Sequence, residues 1–205
     1  MDKSKMETRY LEVSCLEVET REDNQAPKLV GYAHRYNTMS LDLGGFKERF
    51  ALDAFKRSLE SDIDVIALAQ HDNTKVLGRA SAGTLKVEND SVGLRVEITP
   101  PNNSYGNDIL ESIRRNDITG MSFGFIATEE ELVQEGEEWI REVKDADLYE
   151  VSIVTTGAYS ESRIQVRKEV IEKLEELKKP TEKEFKPSEK MLDQLHKQKL
   201  AEFGV

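Results

Sequence analysis

The sequence predicts a β-rich α+β fold: a closed or nearly closed antiparallel β-barrel with a few helices outside it. Three observations lead there. Short stretches of alternating apolar and polar residues recur between residues 7 and 167. Turn signals rich in Gly, Pro, Asn and Asp separate them. Helical spacing appears in only two segments before residue 168.

In chain order, residues 7–19 (TRYLEVSCLEVET from Thr8) alternate as a half-buried strand, and 28–36 (KLVGYAHRY) follow as a second after an EDNQAP turn. Residues 37–50, with Gly44-Gly45, read as irregular. Leu52, Phe55 and Leu59 stand at helical spacing and predict a short amphipathic helix over 51–61. DVIALAQ (64–70) is a short apolar run, read as a buried strand. His71 ends it and opens a polar turn, HDNTKVLG. Residues 83–89 and 92–99 form a hairpin pair around Asp90-Ser91, stopped by Pro100-Pro101. Residues 105–115 read as a second helix, and 118–127 and 147–154 as strands. Between those strands lies an acidic hairpin with Gly136 at its tip. A last strand, 163–167, is expected to close the domain.

At Lys168 the composition changes. Residues 168–205 hold nine lysines and nine acidic residues, so the whole net charge of −11 belongs to residues 1–167. Two apolar patches, Val170/Leu174/Leu177 and Met191/Leu195, are separated by Pro180 and Pro187. They predict two short helices on a linker rather than a second core. The expected organisation is a domain over 1–167 and a charged, partly helical tail over 168–205. The acidic balance argues against direct nucleic-acid binding, since phosphates require clustered Lys and Arg. The single cysteine, Cys15, excludes an internal disulfide, and its strand-like setting reads as a packed side chain. No apolar run approaches the roughly 18 residues of a membrane span, and the N-terminus lacks the apolar core of a secretory signal. The expectation is a soluble intracellular protein. With neither H-x-x-x-H nor a cysteine pair, no metal or cofactor is expected.

Three residues draw attention for chemistry. His71 stands where a rigid apolar strand gives way to a polar turn, which lets an imidazole face a wet cleft. His34, inside a strand, can point either way, and His196 lies in the charged tail. Ser122 sits in GMSFGF, whose glycines permit close approach of a backbone or ligand. The run is not the G-x-S-x-G elbow of α/β-hydrolases. Glu150 is surrounded by Leu148, Val151, Ile153 and Val154, where a carboxylate is costly unless paired, and an imidazole needs such an orienting acceptor. The bland reading of each residue alone is a turn histidine, a surface serine and a strand glutamate facing solvent.

Together these segments resemble the tailed-bacteriophage prohead maturation proteases, distant kin of the herpesvirus capsid proteases. The resemblance rests on VGYAHRYN, GGFKERFALDAF, ALAQHDNTKVLGR, SVGLRVE, DITGMSFGF and LYEVSIVTTGAY, which cover most of residues 8–166. It implies a herpesvirus-protease-like barrel, with Ser122 as nucleophile and His71 as general base. Glu150 takes the third place, which a second histidine fills in the herpesvirus relatives. The arginine pair that those relatives use near the oxyanion is missing from TTGAYSESR, which leaves backbone N–H groups near Gly157 and Ala158 as the substitute. Gln70 stands where Asn commonly precedes the family's histidine.

The resemblance implies an endopeptidase that cleaves the major capsid protein or scaffold, and itself, inside an assembling procapsid in the host cytoplasm. A homodimer is compatible with it. Two rival readings share the residues: an inactive capsid-assembly or scaffolding module on the same barrel, and an esterase using the same acyl-transfer chemistry.

Overall fold

Two long antiparallel strands, β9 (Gly120–Glu135) and β10 (Glu138–Val154), form the spine of the protein in a computed structural model that describes residues 6–11, 16–19, 26–36, 38–155 and 168–178. They pair from Val154 opposite Gly120 out to Glu138 opposite Glu135. The two-residue turn between them places Gly136 at φ +64°, a conformation glycine adopts without a Cβ penalty. The acidic hairpin expected between the two strands is present with Gly136 in its turn, and it continues both strands as one ribbon. Several of its carboxylates lie on the outer part of the ribbon, where Arg49 pairs with Glu135 and Glu142, Lys47 with Glu138 and Lys144 with Glu131.

The first sheet grows from this spine. β1 (Glu7–Leu11) pairs antiparallel with β9. Along the far edge of β10 lie two short parallel strands, β4 (Lys47–Phe50) and β5 (Ile66–Ala69). β6 (Asp72–Arg79) then pairs antiparallel with β5. The second sheet is antiparallel in the order β2 (Glu17–Glu19), β3 (Lys28–Arg35), β8 (Gly93–Ile98), β7 (Leu85–Asn89).

Among the described residues neither sheet closes on itself, so the expected antiparallel barrel is corrected to two open sheets over a shared core. The parallel β4 and β5 explain the difference. They share one edge of β10 instead of extending an antiparallel meander. The single strand expected over 7–19 is also two strands, β1 and β2, one in each sheet.

Leu29, Leu94, Val96 and Ile98 of the second sheet meet Phe50, Phe123, Phe125 and Val151 of the first, and Phe55 completes the aromatic centre. β4 falls in the stretch read as irregular. Its alternation is disguised because one of its inward residues is a glutamate, Glu48. The helix expected over 51–61 shortens to α1 (Lys56–Leu59), because Ala51 N–H still donates to Val143 O at 2.9 Å and continues the β4 ladder. α2 (Ser104–Arg114) matches its spacing. Asn103 caps it by accepting from Gly106 N at 2.9 Å, and Leu110 and Ile113 face inward.

The chain divides into two compact units, Met1–Ile171 and Glu172–Val205. The described part of the second is the end of α3 (Lys168–Lys178), which carries Val170, Leu174 and Leu177. No described helix is long and apolar enough to cross a membrane. The strand expected over 163–167, Cys15, His196 and the Met191/Leu195 patch lie outside the described residues.

Candidate active site

β10 sets the site. Side chains two apart on a strand share a face, so Val151 and Ile153 enter the core while Glu150 and Ser152 occupy the opposite face. Directly across on β9, Ser152 is in register with Ser122, and Glu150 with Gly124. Ser122, Ser152 and Glu150 therefore stand on one face of the sheet. The glycines of GMSFGF have a concrete reason. A Cβ at position 124 would lie 2.7 Å from Glu150 Cγ, and one at 120 would lie 2.5 Å from the Tyr10 ring. Each glycine makes room for the side chain that rises from the neighbouring strand.

β5 carries the imidazole to this face. It pairs in parallel with β10 from Ile66 opposite Glu150 to Ala69 opposite Ile153, and Gln70 N–H extends the ladder to Ile153 O at 2.9 Å. The chain then reverses in two residues, with Ala69 opposite Asp72. Gln70 and His71 both have positive φ, +56° and +57°. Two left-handed residues are the signature of a type I′ turn, whose twist suits adjoining strands but which normally takes Asn or Gly. Each non-glycine residue there carries a cost of about 1–2 kcal/mol. The polar turn expected over HDNTKVLG is thus only these two residues, and β6 begins at Asp72.

The strained turn brings His71 Nδ1 against Glu150 Oε1. Glu150 is 7% exposed, so the contact supplies the partner a buried carboxylate requires. The other nearby acids are engaged elsewhere. Asp72 accepts from Thr74 N–H (2.9 Å) and Thr74 Oγ1–H (2.6 Å), and Asp147 pairs with Arg57 at 2.6 Å. Ser152 Oγ–H also donates to Glu150 Oε1, at 3.1 Å. Ser122 is 2% exposed, and its hydroxyl donates to the Arg9 carbonyl of β1 at 2.8 Å. The structure therefore joins His71 to Glu150 and sets Ser122 one strand away on the same face, with its hydroxyl turned to β1. Gly157 and Ala158 lie outside the described residues.

His34 belongs to the core instead. Its ring packs against Tyr36, Phe50 and Phe123, its Nε2 is buried without a hydrogen bond, and burial lowers its pKa from 6.5 to about 4.

On the other face of the sheet from Ser122, on the inward side of β1, sits a buried ionic cluster that the strand pattern did not reveal. Arg141, fully buried, binds Glu7 at 2.6 and 2.7 Å and Glu48 at 2.5 Å, and also pairs with Glu130. Arg9 binds Glu48 at 2.5 Å and Glu7 at 2.9 Å, and its guanidinium lies 5.3 Å from the Phe125 ring centre. Burial alone would raise the Glu7 carboxyl. The hydrogen bond and charge of Arg141, with the charge of Arg9, outweigh it and hold Glu7 below the ordinary value. Three carboxylates and two guanidinium groups thereby fasten β1 to β4, β9 and β10.

Comparison with known proteins adds the following. The family model described as caudovirus prohead serine protease matches residues 14–177. No match was found among curated proteins. Among solved structures, the chain is similar to the bacteriophage T4 capsid assembly protease, gp21, with a TM-score of 0.48 and 10% identity, covering 73% of this chain and 98% of that one.

Proposed function

This chain belongs to the caudovirus prohead serine protease family, and we propose that it is a serine endopeptidase acting in capsid maturation through Ser122, His71 and Glu150. The observation that carries the reading is the contact between His71 Nδ1 and Glu150 on the sheet face that also bears Ser122. An ionised Glu150 accepts a proton-bearing Nδ1, which leaves the lone pair on Nε2. Nε2 then takes the Ser122 hydroxyl proton as Oγ attacks the scissile carbonyl carbon, and the imidazolium is stabilised by Glu150. The same proton passes to the leaving amine when the C–N bond breaks. A water molecule, deprotonated by His71 in turn, hydrolyses the acyl-enzyme and returns Ser122 to its starting form. Backbone N–H groups near Gly157 and Ala158 are assigned to the oxyanion.

The proposed substrates are the major capsid protein, scaffold segments and the chain itself, cleaved inside the assembling procapsid in the host cytoplasm. The hydrophilic stretch 168–205 suits a packaging handle or a self-cleavage target. No cofactor enters this mechanism.

A second reading, an inactive assembly module, draws on one observation: the Ser122 hydroxyl is buried and donates to the Arg9 carbonyl, not to His71. One experiment separates the two. The wild-type protein and Ser122→Ala are incubated with the cognate capsid precursor, and Ser122 is probed with a fluorophosphonate. The protease reading expects phosphonylation at Ser122 and a loss of cleavage on the order of a millionfold in the variant. A variant that keeps a tenth of wild-type cleavage, or a wild-type chain that neither cleaves nor labels, overturns it.

A further inference from the structure

We infer that Ser152 is a positioning residue for this site, holding the Glu150 carboxylate in the orientation that His71 meets. The inference rests on the assignment of His71 and Glu150 as base and orienting acid. Ser152 is fully buried, so its hydroxyl must find a partner inside the protein. The partner it takes is Glu150 Oε1, at 3.1 Å, the same oxygen that His71 Nδ1 approaches. Strand geometry makes this contact natural, because residues 150 and 152 point to the same side of β10 and Ser152 stands directly opposite Ser122 on β9. Ser152 therefore stands opposite the nucleophile's strand position and donates to the carboxylate.

Two consequences follow for the imidazole. A hydroxyl donor restricts the rotation of the carboxylate about its last torsion, which fixes the direction of the His71 bond. It also draws charge off Oε1. Without it the carboxylate holds more negative charge, the His71 imidazolium is more stable, and the imidazole pKa rises. The acid limb of the pH–rate profile then moves to higher pH, because the base must be neutral to act. Among the described residues, those that the strand register sets opposite Glu150 do not supply the same donor. Gly124 faces Glu150 from β9 and Ile66 from β5, and neither carries a donor side chain. On β6, Asp72 is held by Thr74 and lies 3.5 Å from Lys75.

The test compares Ser152→Ala, Ser152→Cys and Ser152→Thr in the full chain. Cysteine keeps the size of the side chain with a weak donor, and threonine restores the hydroxyl. Each variant is first shown to fold by thermal unfolding. His71 is then titrated by imidazole nitrogen NMR in the Ser122→Ala background, and the pH dependence of kcat/KM is measured with Ser122 in place. Ala and Cys are expected to raise the His71 pKa, and with it the acid limb, by about one pH unit. Cleavage below that limb should fall about tenfold, and Thr should return both readings towards wild type. A serine that serves only packing would lower stability without moving the titration. Folded Ala and Cys variants with an unmoved His71 pKa overturn the inference. The outcome is separable from that of the proposed function: a wild-type chain that labels and cleaves through Ser122 sustains the protease reading whatever Ser152 does.

Discussion

At the scale of single residues, the contact between His71 and Glu150 could be anticipated, since a glutamate flanked by apolar strand neighbours demands a polar partner. Alternation puts Ser152 on the same side of β10 as Glu150, but it does not reveal which strands bury that side, so the role proposed for Ser152 was not legible. The proposed roles differ in how much each residue contributes. Glu150→Gln is expected to slow cleavage roughly ten-thousandfold while leaving a measurable remainder, as an orienting acid matters less than nucleophile or base. Asp72→Asn and Asp147→Asn should change the rate little, since those carboxylates serve Thr74 and Arg57. Steady-state rates on the three variants test the order, and a crippled Asp147→Asn would reverse it. His34 gives a second expectation, on stability. Desolvation lowers its pKa from 6.5 to about 4, so the folded state keeps it neutral while the unfolded chain takes up a proton. Stability is therefore full above pH 6.5 and falls as the pH drops towards 4, by about 3 kcal/mol. His34→Leu should flatten this decline, read as urea midpoints at pH 7 and pH 4.5. Equal declines in the two proteins would show that the ring is not buried in its neutral form.

At the scale of elements, strand alternation and helical spacing revealed β3, β7, β8 and α2 because each has one plain inward face. They failed where charge was turned inward. β4 was hidden by Glu48, whereas the acidic hairpin with Gly136 at its tip was legible and is the outer part of the β9–β10 ribbon. The close fit between these two strands has a testable side. Gly124→Ala would set a Cβ 2.7 Å from Glu150 Cγ. The glutamate must then move, at a cost of about 1–3 kcal/mol in stability. The displaced carboxylate should leave His71 less well oriented, so cleavage should fall more than the folded fraction does. Unfolding curves and rates on the same preparation give the comparison. Unimpaired cleavage would mean that Glu150 can retreat without losing His71.

At the scale of the whole molecule, periodicity counts strands but does not say whether a sheet closes. Sheet closure depends on pairing between distant segments, and the parallel placement of β4 and β5 beside β10 left no sign in either segment's pattern. The same is true of the ionic cluster, whose members come from β1, β4, β9 and β10. Arg141→Ala would leave Glu7 and Glu48 in the interior with Arg9 as their one remaining guanidinium among the described contacts, and is expected to cost about 3–5 kcal/mol at neutral pH. Glu7 is held below its ordinary 4.5 by Arg141 and Arg9, so its share of stability is present above pH 4.5 and is lost as the pH falls further. Arg141→Ala should therefore show a weaker loss of stability across that acid range than wild type, measured by denaturant titration, and a loss undiminished at low pH would place the coupling elsewhere. The cluster also bears on how the Ser122 hydroxyl can be studied by genetics. Its acceptor is the main-chain oxygen of residue 9, which every amino acid supplies. A library of single substitutions at that position would leave the acceptor in place and report only on the guanidinium. Removing the oxygen itself takes a shortened N-terminus, and an ester linkage between residues 9 and 10 made by chemical synthesis keeps the carbonyl and only weakens it as an acceptor, so the bond is invisible to codon-by-codon mutagenesis.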